Sequence, residues 1–327
     1  MHYSDNVWGS IEFNEPIFSE LIDSKPIQRL KELNQAGYPK PFFGGTNLNR
    51  FNHSVGVAGL LRRFGASVEE QVAGLIHDVS HSAFSHCIDY VLPEGSGEGH
   101  NFQDDIFETF VEKSEIPPIL KKHGLDKDRV LDDSHFRLKE TALPGLCADR
   151  IDYSMRDALA YGVIDEGTKD YIRNHLQAIE NRWVFSDLKS AQTFSTLFHE
   201  MNASHYAGLL SAVMFQTVWE YLRHALSKSY ISESDLFSTD QAVLSKILPR
   251  HKSDQRLSLL WDRMNNRVQF KDDPGDFDYT IVCKSRAVDP LFLLDSQVWR
   301  VSDVDPDWKE AVKQELKPKT YFLKFDR

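Results

Sequence analysis

The chain is poor in cysteine, in long apolar runs and in surplus positive charge. Its three cysteines, Cys87, Cys147 and Cys283, are far apart and odd in number. That excludes a disulfide framework and suits a reducing compartment, so a cytoplasmic location is expected. The longest apolar stretch, "AGLLSAVMFQTVWEYL" (207–222), is broken by Ser211 and Gln216, and reads as a buried helix with no role in a membrane. The opening "MHYSDNVWGS" has no basic segment followed by an apolar one, so no signal peptide is expected. A net charge of −11 leaves no basic surface for coating nucleic acid. It leaves room for a phosphorylated small molecule, whose charge a metal and a few local arginines can meet. No internal repeat or low-complexity tract occurs. The 327 residues suffice for one large domain or two modest ones.

Helical periodicity dominates from about 26 to 160. "SKPIQRLKELNQAG" (24–37) offers Ser24 as a cap and Gly37 as an end. "GGTNLNR" (44–50) is turn-rich, and "PEGSGEGH" (93–100) is the clearest loop. From His53, the positions Val57, Leu60, Leu61 and Phe64 continue one buried helical stripe. "SVEEQVAGLIHD" (67–78) pairs Ser67 with Glu70 as a capping box and ends on His77 and Asp78. Further helices are expected over 101–113, 144–162 and, as one long region, about 187–230. After 265, "RVQFKD", "DYTIVCKS" and "KTYFLKF" have the β-branched and aromatic character of strands. The expected architecture is mainly α: a helical core over 24–162, a helical extension over 163–262 completing the pocket, and a small β-containing region over 263–327.

The chemistry concentrates in "AGLIHDVSHSAFSH" (73–86), where His77, Asp78, His81 and His86 fall within ten positions. Imidazole and carboxylate together suit Mn, Fe, Co, Ni or Zn, and carboxylate with water suits Mg. An adjacent His–Asp pair cannot share one face of a regular helix, but at a helix end both can turn to one ion. On the helix 148–160, Asp149, Tyr153, Arg156 and Asp157 form a polar stripe opposite Ile151, Met155, Ala158 and Leu159. Such a stripe is either a salt-bridged surface or a pocket wall. His199 and His205, near Glu200, belong to no motif and are expected to be structural. "DDPGDFD" (272–278) reads as a solvated turn.

Taken in order, "RFNHS" (50–54), "HDVSHSAFSH" (77–86) and "ADRIDYSMRDA" (148–158) resemble the HD-domain metal-dependent phosphohydrolases, and within them the deoxynucleoside triphosphate triphosphohydrolases. The resemblance covers roughly 24–160. It implies metal ligation by His53, His77, Asp78 and Asp149. It implies phosphate-centre roles for His81 and His86, with Asp89 orienting His86, and matches a later family histidine to His100. Arg50 and Arg150 match phosphate contacts, and Tyr153 and Asp157 match contacts to the sugar. Ser80 and "SAF" replace the family's glycine and "GPF", and "RFNH" replaces "RFEH". The chain is also shorter than most such triphosphohydrolases, so their allosteric nucleotide sites and tetramer are not carried over, and self-association is left open.

The chemistry expected is attack by metal-activated water, with His86 or His100 as general acid and Arg50 and Arg150 holding the phosphate chain. The expected reaction is dNTP plus water to deoxynucleoside and triphosphate. The alternatives are a nucleotide phosphatase or phosphodiesterase, a di-iron oxygenase on the same scaffold with His81 and His100 as extra ligands, or a non-catalytic nucleotide sensor.

Overall fold

The computed structural model describes residues 1–44, 48–90 and 102–326, without the side chains of Tyr90 and Phe102. The loop expected over 93–100, His100 included, lies outside them, as does part of 44–50. Five helices carry the site: α1 (Arg50–Arg63), α2 (Val68–Ile76), α3 (Ala148–Ala160), α4 (Leu188–Met201) and α5 (Leu209–Ser227). Asn49 caps α1, its side chain accepting from the Asn52 N–H at 2.9 Å. α1 is buried on nearly every side, and glycines make that possible. A Cβ on Gly56 would lie 2.1 Å from the Arg156 guanidinium and 2.2 Å from the Asp152 carboxylate; one on Gly59 would lie 2.3 Å from Ile11. These two positions admit α3 and the N-terminal hairpin close against the helix that bears His53.

That hairpin pairs β1 (His2–Asp5) with β2 (Gly9–Glu12), antiparallel. It buries Val7, Trp8, Ile11 and Phe13 in the same core as the helices. A core beginning at residue 24 therefore omits part of itself. The hairpin has no periodic signature, since its apolar residues are crowded around a turn. The helix expected over 24–37 is short: Lys25–Arg29 are α-helical and Leu30–Glu32 form one tighter turn. The chain then leaves the helix to bridge Asn34 to Asn49, with the Arg50 N–H donating to the Leu33 carbonyl at 3.1 Å.

Ser67 caps α2 as expected, accepting from the Glu70 N–H at 3.2 Å. Glu70 does not reciprocate. Its carboxylate accepts instead from the backbone N–H groups of Leu138 and Lys139, at 2.9 and 3.0 Å. The long helix expected over 187–230 is two helices separated by a wide turn, Asn202–Tyr206, before α5 begins.

The C-terminal strands do not form an independent appendage. β3 (Leu176–Ile179) and β4 (Arg182–Phe185) pair antiparallel, and β4 pairs parallel with β7 (Leu291–Leu294), which pairs with β8 (Gln297–Arg300). This sheet joins the segments on both sides of the expected 262/263 boundary. A second sheet places β9 (Lys319–Phe325) between β5 (Phe270–Asp272) and β6 (Tyr279–Cys283). All three cysteines are free and buried. Among the described residues no helix is long and apolar enough to cross a membrane.

Candidate metal centre and adjoining residues

The first turn of α1, the C-terminal end of α2 and the first turn of α3 meet. His53 Nε2 lies 2.9 Å from Asp149 Oδ1, His77 Nε2 lies 3.5 Å from the same oxygen, and the two Nε2 atoms are 3.2 Å apart. These three residues form a group with ligand atoms all within 4.8 Å of one another. Asp78 borders it, with Oδ1 3.5 Å from His77 Nε2 and Oδ2 3.8 Å from His53 Nε2.

The chemistry of the donor set fits a divalent cation. His77 Nδ1 donates to the Gly74 carbonyl at 2.8 Å, and a carbonyl only accepts. His53 Nδ1 donates to the Asp152 carboxylate at 2.7 Å. Both rings thus carry hydrogen on the far nitrogen, and both Nε2 lone pairs converge on Asp149. Two lone pairs and a carboxylate at these distances repel unless a positive charge lies among them. Burial disfavours the His53 imidazolium, yet hydrogen bonds to Asp149 and Asp152 override it and raise its pKa to about 10. Without a metal, a proton fills the place the site makes for a cation.

A second group, Glu140, Cys147 and Asp149, is also compact. It already holds a cation of its own: Arg150 donates to Cys147 Sγ at 3.2 Å and to Glu140 at 2.9 Å. Burial pushes the Cys147 thiol up, away from the thiolate a metal needs.

The sequence reading assigns Asp152 no role at the site, and it lies outside the stripe of Asp149, Tyr153, Arg156 and Asp157; the structure buries it completely. Besides His53 it accepts from Trp8 Nε1 at 2.6 Å and from Arg156 Nε and Nη2 at 2.9 and 2.8 Å. Arg156 in turn donates to Asp5 at 2.9 Å, and Asp5 accepts from the Val7 and Trp8 N–H groups at 2.8 and 2.9 Å. The N-terminal hairpin thereby supports the His53 ring through two carboxylates and an arginine. The i, i+3 spacing of Asp149 and Asp152 was the available signal. Asn52, where the family has glutamate, accepts from the Tyr3 hydroxyl at 2.7 Å and adds a further tie to the hairpin.

Both expected phosphate arginines are engaged by the protein itself. Arg50 is buried and donates to Asp78 at 2.7 Å, Ser85 Oγ at 2.8 Å and the Gln35 carbonyl at 3.0 Å. Burial raises the Asp78 carboxyl, but Arg50 and the flanking imidazoles hold it well below the usual carboxylate range. Arg150 donates to the Thr141 and Gly145 carbonyls at 2.6 and 3.1 Å, in addition to Cys147 and Glu140. Held in this way, each guanidinium braces its surroundings. Arg50 fixes Asp78, and Arg150 fixes the loop that precedes α3.

His81 is buried with Nε2 3.2 Å from Asp78 Oδ1; burial and then Arg50 keep it well below the ordinary histidine pKa. His86 is more open, meets His81 edge to face at 5.1 Å, and has Nδ1 3.4 Å from the buried Asp89 carboxylate. Phe84 and Ser85 both adopt left-handed backbone (φ 62° and 47°), which turns the chain back so that His86 faces His81. Such residues cost of order 1–2 kcal/mol each. Asp240 offsets part of that by accepting from the Phe84 N–H at 2.8 Å.

Tyr153 and Asp157 lie one and two turns along α3 from Asp149. The Tyr153 hydroxyl and Asp157 Oδ1 are buried without a hydrogen-bond partner. Asp157 Oδ2 accepts from Tyr206 at 3.2 Å, and the Tyr206 ring meets Tyr153 at 5.4 Å. Tyr206 had no motif to announce it. His205 beside it packs on Phe43 and Tyr161 at 4.9 and 4.3 Å, and His199 lies 4.0 Å from Glu315.

Burial raises Asp157 from its ordinary 3.8 to about 7. The folded state therefore keeps this proton where the unfolded chain has lost it, and stability contributed here falls as pH rises from about 4 to about 7. Asp157→Asn retains the acceptor for Tyr206 and has no charge to bury. Its melting temperature is expected to exceed that of the wild type at pH 8. The difference narrows as pH falls to 5, as scanning calorimetry at the two pH values would show.

The sequence of residues 50–157 matches the family described as HD domain. The protein YdhJ of Bacillus subtilis (strain 168), described as uncharacterized, is 34% identical to this chain over 325 residues, covering 98% of each. A protein of Cordyceps militaris named metal-dependent phosphohydrolase cns2 is 28% identical over 294 residues, 88% of this chain and 83% of that one. Mouse deoxynucleoside triphosphate triphosphohydrolase SAMHD1 is 33% identical over 143 residues, 38% of this chain and 22% of that protein.

Proposed function

Because this chain belongs to the HD-domain family, and is a metal-dependent hydrolase of phosphate esters or anhydrides, we propose that it converts deoxynucleoside triphosphates to deoxynucleoside and triphosphate. One observation carries the choice of substrate. Two buried polar atoms without partners, the Tyr153 hydroxyl and Asp157 Oδ1, lie along α3 from Asp149. Buried polar groups are normally satisfied, so a ligand with a hydroxyl group is wanted beside them. A deoxynucleoside triphosphate brings its one free sugar hydroxyl to one end and phosphate to the other. The likeness to SAMHD1 supports the same substrate.

His53, His77 and Asp149, with Asp78 beside them, would hold the ion. When bound, a divalent cation neutralises phosphate charge and supplies hydroxide near neutral pH. The chain's own groups do the rest. Asp152 and the Gly74 carbonyl keep the two imidazoles in the tautomer that presents Nε2. Arg50 keeps Asp78 ionised. His86, oriented by Asp89, gives a proton to the leaving oxygen, the role for which an accessible imidazole is suited. Tyr153 and Asp157 hold the sugar.

The test is product identification from a panel of dNTPs, dNMPs and cyclic or diester nucleotides with Mn, Mg, Co or Ni. Triphosphate release from a dNTP, abolished by chelator and restored by metal, is the expected result. Orthophosphate from monoesters, or cleavage of diesters alone, overturns the triphosphohydrolase reading in favour of a phosphatase or phosphodiesterase.

A further inference from the structure

We infer that Arg29 and Asp240 are positioning residues, which together hold the backbone turn from which His81 and His86 act. The inference rests on the reading of His86 as proton donor. It extends that reading to both sides of the matched residues 50–157, with Arg29 before them and residues 236–240 after them.

The need comes first. A general acid works only within hydrogen-bond reach of the oxygen it protonates, and a displacement of about 1 Å can cost on the order of a hundredfold in rate. His86 follows two residues in left-handed backbone, Phe84 and Ser85, with φ 62° and 47°. Neither is glycine, so their own side chains oppose that shape. Asp89 is a loose tether for the ring, its carboxylate lying 3.4 Å from His86 Nδ1. The turn has to be held from elsewhere in the chain.

Hydrogen bonds from two other segments reach it almost residue by residue. Arg29 Nη2 donates to the carbonyls of Val79 and His81, both at 2.7 Å. Its Nη1 donates to the carbonyls of Phe237 and Ser238, at 3.2 and 3.1 Å. One guanidinium thereby ties the backbone at His81 to the segment that follows α5. The Leu236 carbonyl in that segment accepts from the Ala83 N–H at 2.7 Å. Asp240 opens the helix Asp240–Ile247 and spends one oxygen on each of two backbone donors. Its Oδ1 accepts from the Phe84 N–H at 2.8 Å and its Oδ2 from the Asn34 N–H at 2.9 Å. Ser85 Oγ donates to the Asn34 carbonyl at 2.6 Å, so Asn34 meets the turn twice, once through Asp240 and once directly. Asn34 is itself bridged to Asn49, the cap of α1.

The pattern separates aiming the acid from holding the cation. These tethers end on backbone groups of residues 79–84, whereas the metal-facing imidazoles have supports of their own, Asp152 for His53 and the Gly74 carbonyl for His77. A change at residue 29 or 240 therefore moves His86 more than it moves the metal ligands. Both side chains are also chemically specific. A carboxylate offers an acceptor to each of two N–H groups, and an asparagine has to turn an N–H toward one of them. A planar guanidinium spans carbonyls on two sides, and a lysine ammonium keeps the charge without that fork.

The test compares the full chain with its variants Asp240→Asn and Arg29→Lys, on a dNTP and on bis(4-nitrophenyl) phosphate, whose leaving group departs without a proton. Each variant is expected to lose about tenfold in kcat on the dNTP with KM nearly unchanged, and to lose little on the nitrophenyl ester. Nitrogen NMR of the Mg-loaded protein is expected to show the His86 resonances moved in both variants and those of His53 unmoved. An equal loss on both substrates, or His86 resonances that stay in place in the folded variants, overturns the inference. Should both variants unfold, hydrogen exchange in the wild type decides. The Ala83 and Phe84 amides are expected to exchange at least about a hundredfold more slowly than in an unfolded chain, and unprotected exchange there overturns the inference. Failure of the nucleotide reading looks different: His86 would still be displaced by both substitutions in a protein that turns over no nucleotide.

Discussion

Asp149→Ala is expected to lower kcat/KM by about a thousandfold and to leave the purified protein without stoichiometric metal. Asp149 Oδ1 is the oxygen on which both imidazoles converge, at 2.9 and 3.5 Å. Its removal leaves two neutral nitrogens facing each other across 3.2 Å. The remaining carboxylate, Asp78, is already turned to Arg50. Charge stabilisation by a metal is worth several kcal/mol at a phosphoryl centre, and about 4 kcal/mol corresponds to a thousandfold. Initial rates and metal analysis on the same preparation check both halves. Asp149→Asn separates charge from shape: it keeps an oxygen at the same place, and should still lose most of the activity because a neutral amide does not supply the negative charge that balances the cation.

The second large effect belongs to a residue that touches no ligand. Asp152→Asn is expected to weaken metal affinity by about 10- to 100-fold and to destabilise the fold by about 3–5 kcal/mol. Two carboxylates, Asp152 and Asp5, neutralise the buried Arg156, and Asp152 provides two of its contacts. Losing that charge leaves Arg156 partly uncompensated in a dry place. An asparagine has one acceptor oxygen where the aspartate has two. Asp152 Oδ1 accepts from Trp8 and Arg156, and Oδ2 from Arg156 and His53; only the imidazole can move its hydrogen, so the amide nitrogen falls to the side facing His53. An N–H pointing at Nδ1 forces the imidazole to carry its hydrogen on Nε2, which then faces the cation with a donor. Mn titration and thermal unfolding of the variant measure the two effects. Nitrogen NMR of the His53 ring reports the tautomer directly, and a merely structural role would not move it.

What the sequence revealed and what it concealed divide along physical lines. His53 was readable because it opens a stripe continued by Val57, Leu60 and Leu61. His77 was readable because α2 ends where its apolar periodicity ends. Both depend on local helix geometry, and the structure keeps both. The gathering of His53, His77 and Asp149 came from the order of three motifs, and the structure brings these residues together. The protein partners of Arg50 and Arg150 were not legible because a sequence shows a charge and not its partner. Whether Arg50 reaches a phosphate or Asp78 depends on a helix end 28 residues away. Asp152 was passed over for the same reason: a helix carboxylate looks solvated until the hairpin that buries it is placed. The hairpin was overlooked because Val7, Trp8, Ile11 and Phe13 pack through a tight turn with no helical or alternating rhythm. Tyr206 had no local signal, since its position depends on a turn between two helices.

The claim on which the rest depends is that His53, His77 and Asp149 hold one divalent cation. Anomalous diffraction from crystals grown with Mn tests it most directly. A manganese peak within about 2.0–2.3 Å of both Nε2 atoms and of an Asp149 oxygen is the predicted result. A peak elsewhere in the chain, with these three side chains bonded only to one another, would contradict it.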